Sequence, residues 1–252
     1  TEKAYLHQYK LSIKDVDWLN PYSKASERPS QSTEVLFIEQ AEKYLVEGGY
    51  LAIVLPDGVL TNSSMQYVRD YISDTFRIVA VISMPQTAFS ANGAGVKSSV
   101  MFLKKFSASE KQARIDLRNN TQNNLIFNSE DGIRLLELLK KKKGEIAKLN
   151  NQIKQAKKAN KNEEVEMLMN KKQTVTEEFD EQIESTRENL SDAYLKNYKL
   201  LLVDYPIFMA IADDIGYDAT GKETKNNQLP DISKELAEFI NAIEEGKDSF
   251  FQ

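Results

Sequence analysis

The 252 residues carry a formal charge of −5, with 41% hydrophobic and 28% charged side chains. That balance describes a globular chain of one large or two small domains, and not a self-evident polyanion binder. With no cysteine and a single histidine, His7, disulfides, thiolate metal sites and a cysteine nucleophile are excluded, and a Ser-His-Asp triad or a multi-histidine metal site almost so. No apolar run approaches the roughly 20 residues that span a bilayer, and the first residues, TEKAYLHQYK, lack the apolar core of a signal peptide. The absence of cysteine fits a reducing cytoplasm, and Thr1 in place of Met suggests a piece of a longer protein.

Residues 1–33 are polar and irregular and hold the only tryptophan, Trp18; Asn20-Pro21-Tyr22 and Arg28-Pro29 mark loop. In TEVLFIEQAEKYLVEGG, Phe37, Ile38, Ala41 and Leu45 recur at helical spacing. Ser32 or Thr33 would cap that helix and Gly48-Gly49 would end it. YLAIVLP is then an unbroken apolar run of strand length, the pattern of a strand buried on both faces.

That strand stops at Pro56-Asp57-Gly58 because proline has no N–H for the ladder. Asp57 then either projects into the crevice beyond the strand end, where ligands of open α/β sheets sit, or caps a turn. Ser63 and Gln66 fit a capping box for a helix through Tyr67, Val68, Tyr71 and Ile72 that ends near Phe76. RIVAVISMP is a second buried strand and VKSSVMFLKK a third. The loop between them, QTAFSANGAG, has no room for a crossover helix. The pair is therefore expected to be antiparallel, a hairpin closing the edge of a doubly wound sheet. Phe89 in that loop is either a ring placed to stack on a planar ligand or a core aromatic. Gly93-Ala94-Gly95 opens no helix and is not a phosphate loop. Three strands are visible where such a fold has about five to seven.

From about Gly132 the periodicity changes. Ile146, Leu149, Ile153 and Ala156, and later Val165, Leu168, Val175 and Phe179, follow spacings of three and four. With a break at Ala159–Asn162, they predict two long antiparallel helices whose seam packs on itself or on a partner. Lys140–Lys143 and Lys154, Lys157, Lys158 and Lys161 lie here among glutamates. A solvated helix face accounts for them more simply than a nucleic-acid contact. After Tyr198 come an apolar stretch, a turn at Asp218–Gly221 and an amphipathic helix, ISKELAEFINAI. The chain thus divides into a loop segment (1–33), an α/β part (34–128), a helical hairpin arm (129–200) and a helical C-terminal segment (201–252).

FIEQAEKYLVEGGYLAIVLPDGVLTNSS, VRDYI, AVISMPQTAFSANGAGVKSSVMFLKK and, after the arm, FMAIADDIGYDATGKETKNNQLPDI together resemble the N6-adenine DNA methylase family. They look most like the modification subunit of type I restriction-modification systems. The likeness is close over about residues 34–105. It implies the distal half of a class I S-adenosylmethionine-dependent methyltransferase sheet. The cofactor loop and the Asn-Pro-Pro-Phe/Tyr catalytic motif would lie upstream of Thr1. Asn20-Pro21-Tyr22 does not serve as that motif, because it lacks the second proline and follows Lys14, Asp15 and Asp17 instead of a buried strand.

The resemblance also implies an adenine flipped out of the duplex, with Phe89 at the position of an aromatic that helps hold it. Asp57 falls at the pocket rim, and Lys97 either contacts DNA or flanks a strand. Methyl transfer from S-adenosylmethionine to the adenine amino group would be direct, oriented by the upstream Asn and prolines. The cofactor is not expected to bind residues 1–252 alone. The partners implied are DNA, a specificity subunit that reads the sequence, and a restriction subunit, with the arm as a docking element. A partial sheet exposes an edge and an apolar face, which predicts self-association or marginal stability. The competing reading is a non-catalytic module that presents a helical hairpin to protein or DNA.

Overall fold

The structure, a computed structural model, describes residues 6–93 and 95–247. The first five residues of the predicted loop segment, and Ala94 between its two glycines, lie outside them. Two compact units divide the chain. One draws on residues within 1–14, 26–115 and 203–252, the other on 15–25 and 116–202.

The first unit is built on a mixed four-stranded sheet of β3 (Tyr50–Pro56), β4 (Phe76–Ser83), β5 (Ser98–Lys105) and β6 (Phe208–Ile211), in the order β3-β5-β4-β6. A small pair, β1 (Ile13–Lys14) and β2 (Ser26–Glu27), precedes it. β5 is antiparallel to both neighbours, with Ile53 and Val81 flanking Met101. The predicted hairpin is therefore present, but β5 does not close the edge. The crossover through the helix Gln66–Thr75 leaves one strand position between β3 and β4, and the short loop after β4 turns β5 into it.

Helices cover both faces of this sheet. On one, Val35 and Ile38 of the helix Thr33–Tyr44 and Val68 and Ile72 of Gln66–Thr75 pack with Leu55, Met101 and Leu103. On the other, Leu236, Phe239 and Ile243 of the helix Leu229–Glu244 lie against Val79, Ala80, Ile82, Phe102 and Phe208. The layers are offset, so each outer strand keeps one bare face. Val54 of β3 is 48% exposed, and Met209 and Ile211 of β6 are each 70% exposed. The expectation that YLAIVLP is buried on both faces is corrected accordingly.

Three local readings also change. Phe37 is 64% exposed while Val35 and Ile38 are buried; adjacent helical residues point about 100° apart, and the stripe that meets the sheet is centred on the Val35–Ile38 side, which turns Phe37 outward. The predicted Ser63 capping box is replaced by Asn62, whose Oδ1 accepts from the Ser64 amide at 3.0 Å. The C-terminal segment, expected to be helical, contributes β6 parallel to β4, then the hairpin β7 (Ile215–Tyr217) and β8 (Glu223–Asn227), before its helix. Its apolar residues form runs too short and too interrupted by Asp and Gly to betray strands that depend on a distant partner.

The second unit consists of the end of the helix Ala108–Asn128, the helices Glu130–Lys158 and Asn162–Leu201, and residues 15–25. Leu149, Ala156 and Leu168 are buried together, with Ile153, Val165 and Val175 beside them, so the predicted seam closes on its own hairpin. Asn160, at φ 54°, turns the chain between the arms. The first corner is tighter. Ser129 caps the new helix by accepting from the Gly132 amide at 3.0 Å, and a Cβ on Gly132 would stand 2.1 Å from the Leu125 carbonyl oxygen. Trp18, Leu19 and Tyr194 pack at the base of this unit. Asn20-Pro21-Tyr22 sits in a turn there, with the Asn20 amide bonded to the Asp17 carbonyl at 2.8 Å.

Candidate functional site

β3, β4 and β6 run parallel, so their carboxyl ends reach the same edge of the sheet, where β5 begins. Open α/β sheets bind ligands at such an edge. Asp57 follows Pro56 directly and starts a short helix, Asp57–Thr61. Its amide donates to the Lys97 carbonyl at 2.9 Å. Its Oδ1 accepts from the Ser99 hydroxyl at 2.8 Å, and Lys97 Nζ stands 3.8 Å from Oδ2. Asp57, expected at the pocket rim, and Lys97, expected to contact DNA or flank a strand, are therefore in contact, and Ser99, which sequence reasoning did not single out, shares the carboxylate. The carboxylate straps the end of β3 to the start of β5.

Phe89 lies at the same edge, on the loop between β4 and β5. Successive turns stiffen that loop: the Ala88 amide donates to the Pro85 carbonyl, Ser90 to Thr87 and Gly93 to Ser90, each at 3.0 Å. Gln86 Nε2 reaches the Gly95 carbonyl at 2.8 Å and closes the base. Gly93 takes φ +80°, a left-handed conformation that a side chain would strain. Phe89 is half-buried and, among the described residues, is not part of the sheet's apolar clusters.

The C-terminal hairpin completes this edge, which sequence reasoning missed. Gly221, at φ +81°, approaches so closely that a Cβ there would meet the Ala91 Cβ at 3.1 Å. The β7–β8 turn thus buttresses the Phe89 loop. Asp218 holds the turn by accepting from the Thr220 hydroxyl at 2.6 Å and from the amides of Thr220 and Lys222 at 2.8 and 3.0 Å. Those hydrogen bonds keep its carboxyl below the ordinary range. At the end of β6, the Asp213 and Asp214 amides both donate to Gln228 Oε1, at 2.7 and 3.0 Å. The Asp218-Ala-Thr-Gly221 turn was legible; its contact with a loop 130 positions earlier was not.

The arrangement offers an aromatic face, a carboxylate, a hydroxyl and an amine, groups that can bind and orient a ligand. A half-buried ring stands on a stiff loop at the same sheet edge as a carboxylate already engaged by a hydroxyl and an amine. Among the described residues no group of three or more His, Cys, Asp or Glu side chains is placed to hold a metal ion, and no helix is long and apolar enough to cross a membrane. A separate open hollow of about 530 Å³ runs along β6, lined by Ile207, Met209, Glu235 and Glu238 among others.

A family model described as N-6 DNA Methylase matches residues 5–185. Among solved structures the chain is similar to a Listeria monocytogenes protein described as a class I S-adenosylmethionine-dependent methyltransferase, at 23% identity and a TM-score of 0.31. The alignment covers 42% of this chain and 28% of that one. No curated protein matches the chain.

Proposed function

The chain belongs to the N-6 DNA methylase family, and from that premise we propose that it forms the target-base side of an adenine-N6 DNA methyltransferase, as part of the modification subunit of a type I restriction-modification enzyme. The observation that carries this reading is the Phe89 loop, stiffened by its own turns and buttressed by Gly221 at the shared carboxyl edge of three parallel strands. An adenine must leave the duplex before its amino group can react, and a flipped base is held by stacking and edge hydrogen bonds. Phe89 stacks on the base. The Asp57–Ser99–Lys97 strap keeps β3 and β5 in register beneath it.

S-adenosylmethionine supplies the methyl group in this reading, but the residues here do not fit it. A nucleotide-type site places a glycine-rich turn after a strand and before a helix, with a carboxylate for the ribose. Gly48-Gly49 precede β3, Gly93 and Gly95 belong to a hairpin loop, and Asp57 is already engaged. No Asn-Pro-Pro-Phe/Tyr tetrapeptide occurs in the 252 residues. Residues 1–252 alone are therefore inactive and act with a cofactor-bearing portion. The free outer edge of β3 takes the next strand of that complete sheet, and the helical arm docks the specificity subunit.

The test is Phe89→Ala in the complete enzyme. Base–aromatic stacking is worth about 1–3 kcal/mol. The KM for DNA should therefore rise roughly five- to hundredfold, while Phe89→Tyr preserves it. Unchanged KM and kcat in the alanine variant would sink the base-stacking role.

A further inference from the structure

Between residues 140 and 161 the chain carries nine lysines and one glutamate; between 162 and 190 it carries nine acidic and three basic side chains. The hairpin thus sets a basic helix beside an acidic one, yet little of that charge is paired across the seam. Lys142 pairs with Asp180. Lys141, Lys148 and Lys161 are tied to near neighbours on the chain, Glu137, Glu145 and Glu164. Lys140, Lys143, Lys154, Lys157 and Lys158 are exposed and have no side-chain partner among the described residues.

The first four of these lie on one line. Positions 140, 143, 147, 150, 154 and 157 repeat the three-four spacing of the seam, and Asn150, Lys154 and Lys157 each directly follow a seam residue. They form one flank of the basic helix. The opposite flank, residues 145, 148, 152 and 155, holds an ion-paired Glu145–Lys148 and two glutamines. Beside the basic flank runs an open hollow of about 450 Å³, with Asn150 and Lys157 on one wall and Lys172 and Gln173 on the other. The Lys172 amine is also unpaired among the described residues. Glu177 at its margin is occupied by Gln173 Nε2 at 2.9 Å.

We propose that this flank, Lys140, Lys143, Lys154 and Lys157 with Lys172 across the hollow, docks the phosphate backbone of duplex DNA without reading its sequence. At 1.5 Å per residue the line from Lys140 to Lys157 is about 26 Å long. It therefore faces about seven or eight base pairs of a duplex that carries one charge per 1.7 Å of axis. Its composition favours phosphate over protein. Protein interfaces want an apolar or aromatic core, whereas the line offers lysines, one asparagine and one alanine. The inference rests on the reading of this chain as part of a DNA enzyme.

The experiment is fluorescence anisotropy of the purified chain with a duplex made only of G·C pairs, titrated over a range of salt. The chain should bind, and K140Q/K143Q/K154Q/K157Q should bind about tenfold or more weakly, with a log–log salt slope shallower by roughly three or four. K141Q/K148Q, which removes two ion-paired lysines, keeps affinity and slope. Circular dichroism checks that the fourfold variant keeps its helices. Equal affinity and slope in that variant overturn the proposal, as does binding of polyglutamate in place of the duplex, which marks the flank as a site for an acidic protein. The probe contains no adenine. A complete enzyme that fails to methylate adenine but holds this duplex through the four lysines overturns the functional reading alone.

Discussion

In the sheet unit Leu103 shares a cluster with Val35, Ile38 and Ile72, residues from two helices far earlier in the chain. In the arm, Leu149 and Ala156 meet Leu168 across a single turn. The first kind of contact closes long loops before it stabilises anything; the second needs only a helix and its neighbour. The difference falls along functional lines. The sheet collects Asp57, Phe89, Lys97 and the Asp218–Gly221 turn from distant stretches at one edge, whereas the arm is a locally determined rod with an uneven distribution of charge.

The comparison breaks most readily at Phe76, which is fully buried beneath the helices of the sheet unit. Phe76→Ala should cost about 3–5 kcal/mol. Hydrogen exchange should show β3, β4 and β5 losing protection while the amides of 140–190 keep theirs. Equal loss in both units would mean that they unfold as one.

Gly132→Ala tests the other half. Its Cβ would overlap the Leu125 and Ile126 carbonyl oxygens, at 2.1 and 2.5 Å, backbone that cannot swing aside. Overpacking of this kind costs about 1–3 kcal/mol, and here the exchange pattern should reverse, with the arm opening first. An alanine variant as stable as the parent would show that the corner between the two helices is looser than it looks.

The smallest effect expected is electrostatic. Glu42 lies on the helix Thr33–Tyr44 with Lys111 Nζ at 3.2 Å and Lys105 Nζ at 3.5 Å. Burial raises its carboxyl, and the hydrogen bonds and charges of Lys111 and Lys105 outweigh burial, leaving it below the ordinary value of 4.5. A lowered carboxyl contributes stability that is present above 4.5 and lost as pH falls through the lowered value. Glu42→Gln should therefore be slightly less stable than the parent at neutral pH and equal to it in acid, as read by urea unfolding. A difference that persists in acid would assign the effect to packing.

Much of the fold was legible along the chain. The helix before β3, the β4–β5 hairpin and the two arms follow from spacing alone, because an amphipathic helix or a short loop announces itself within a few residues. Phe37 misled because spacing fixes a period but not which stripe of a two-sided helix meets the sheet. The sequence points to the edge for β5 because a hairpin specifies a partner on one side only and is silent about the other. β6 escaped because a four-residue parallel strand has no signal apart from the neighbour it joins.

The same division holds for the candidate site. The break at Pro56, the small-residue loop around Phe89, the turn at Asp218–Gly221 and the lysine-rich arm can all be read along the chain, because each is the outcome of local backbone or charge chemistry. Tertiary contacts alone set the engagement of Asp57 by Ser99 and Lys97, the seat of Gly221 against Ala91, and the four lysines that, among the described residues, stand unpaired along one flank of the arm. Those facts depend on which distant groups come within a few ångströms, and hydrogen bonds and ion pairs fall away beyond that range.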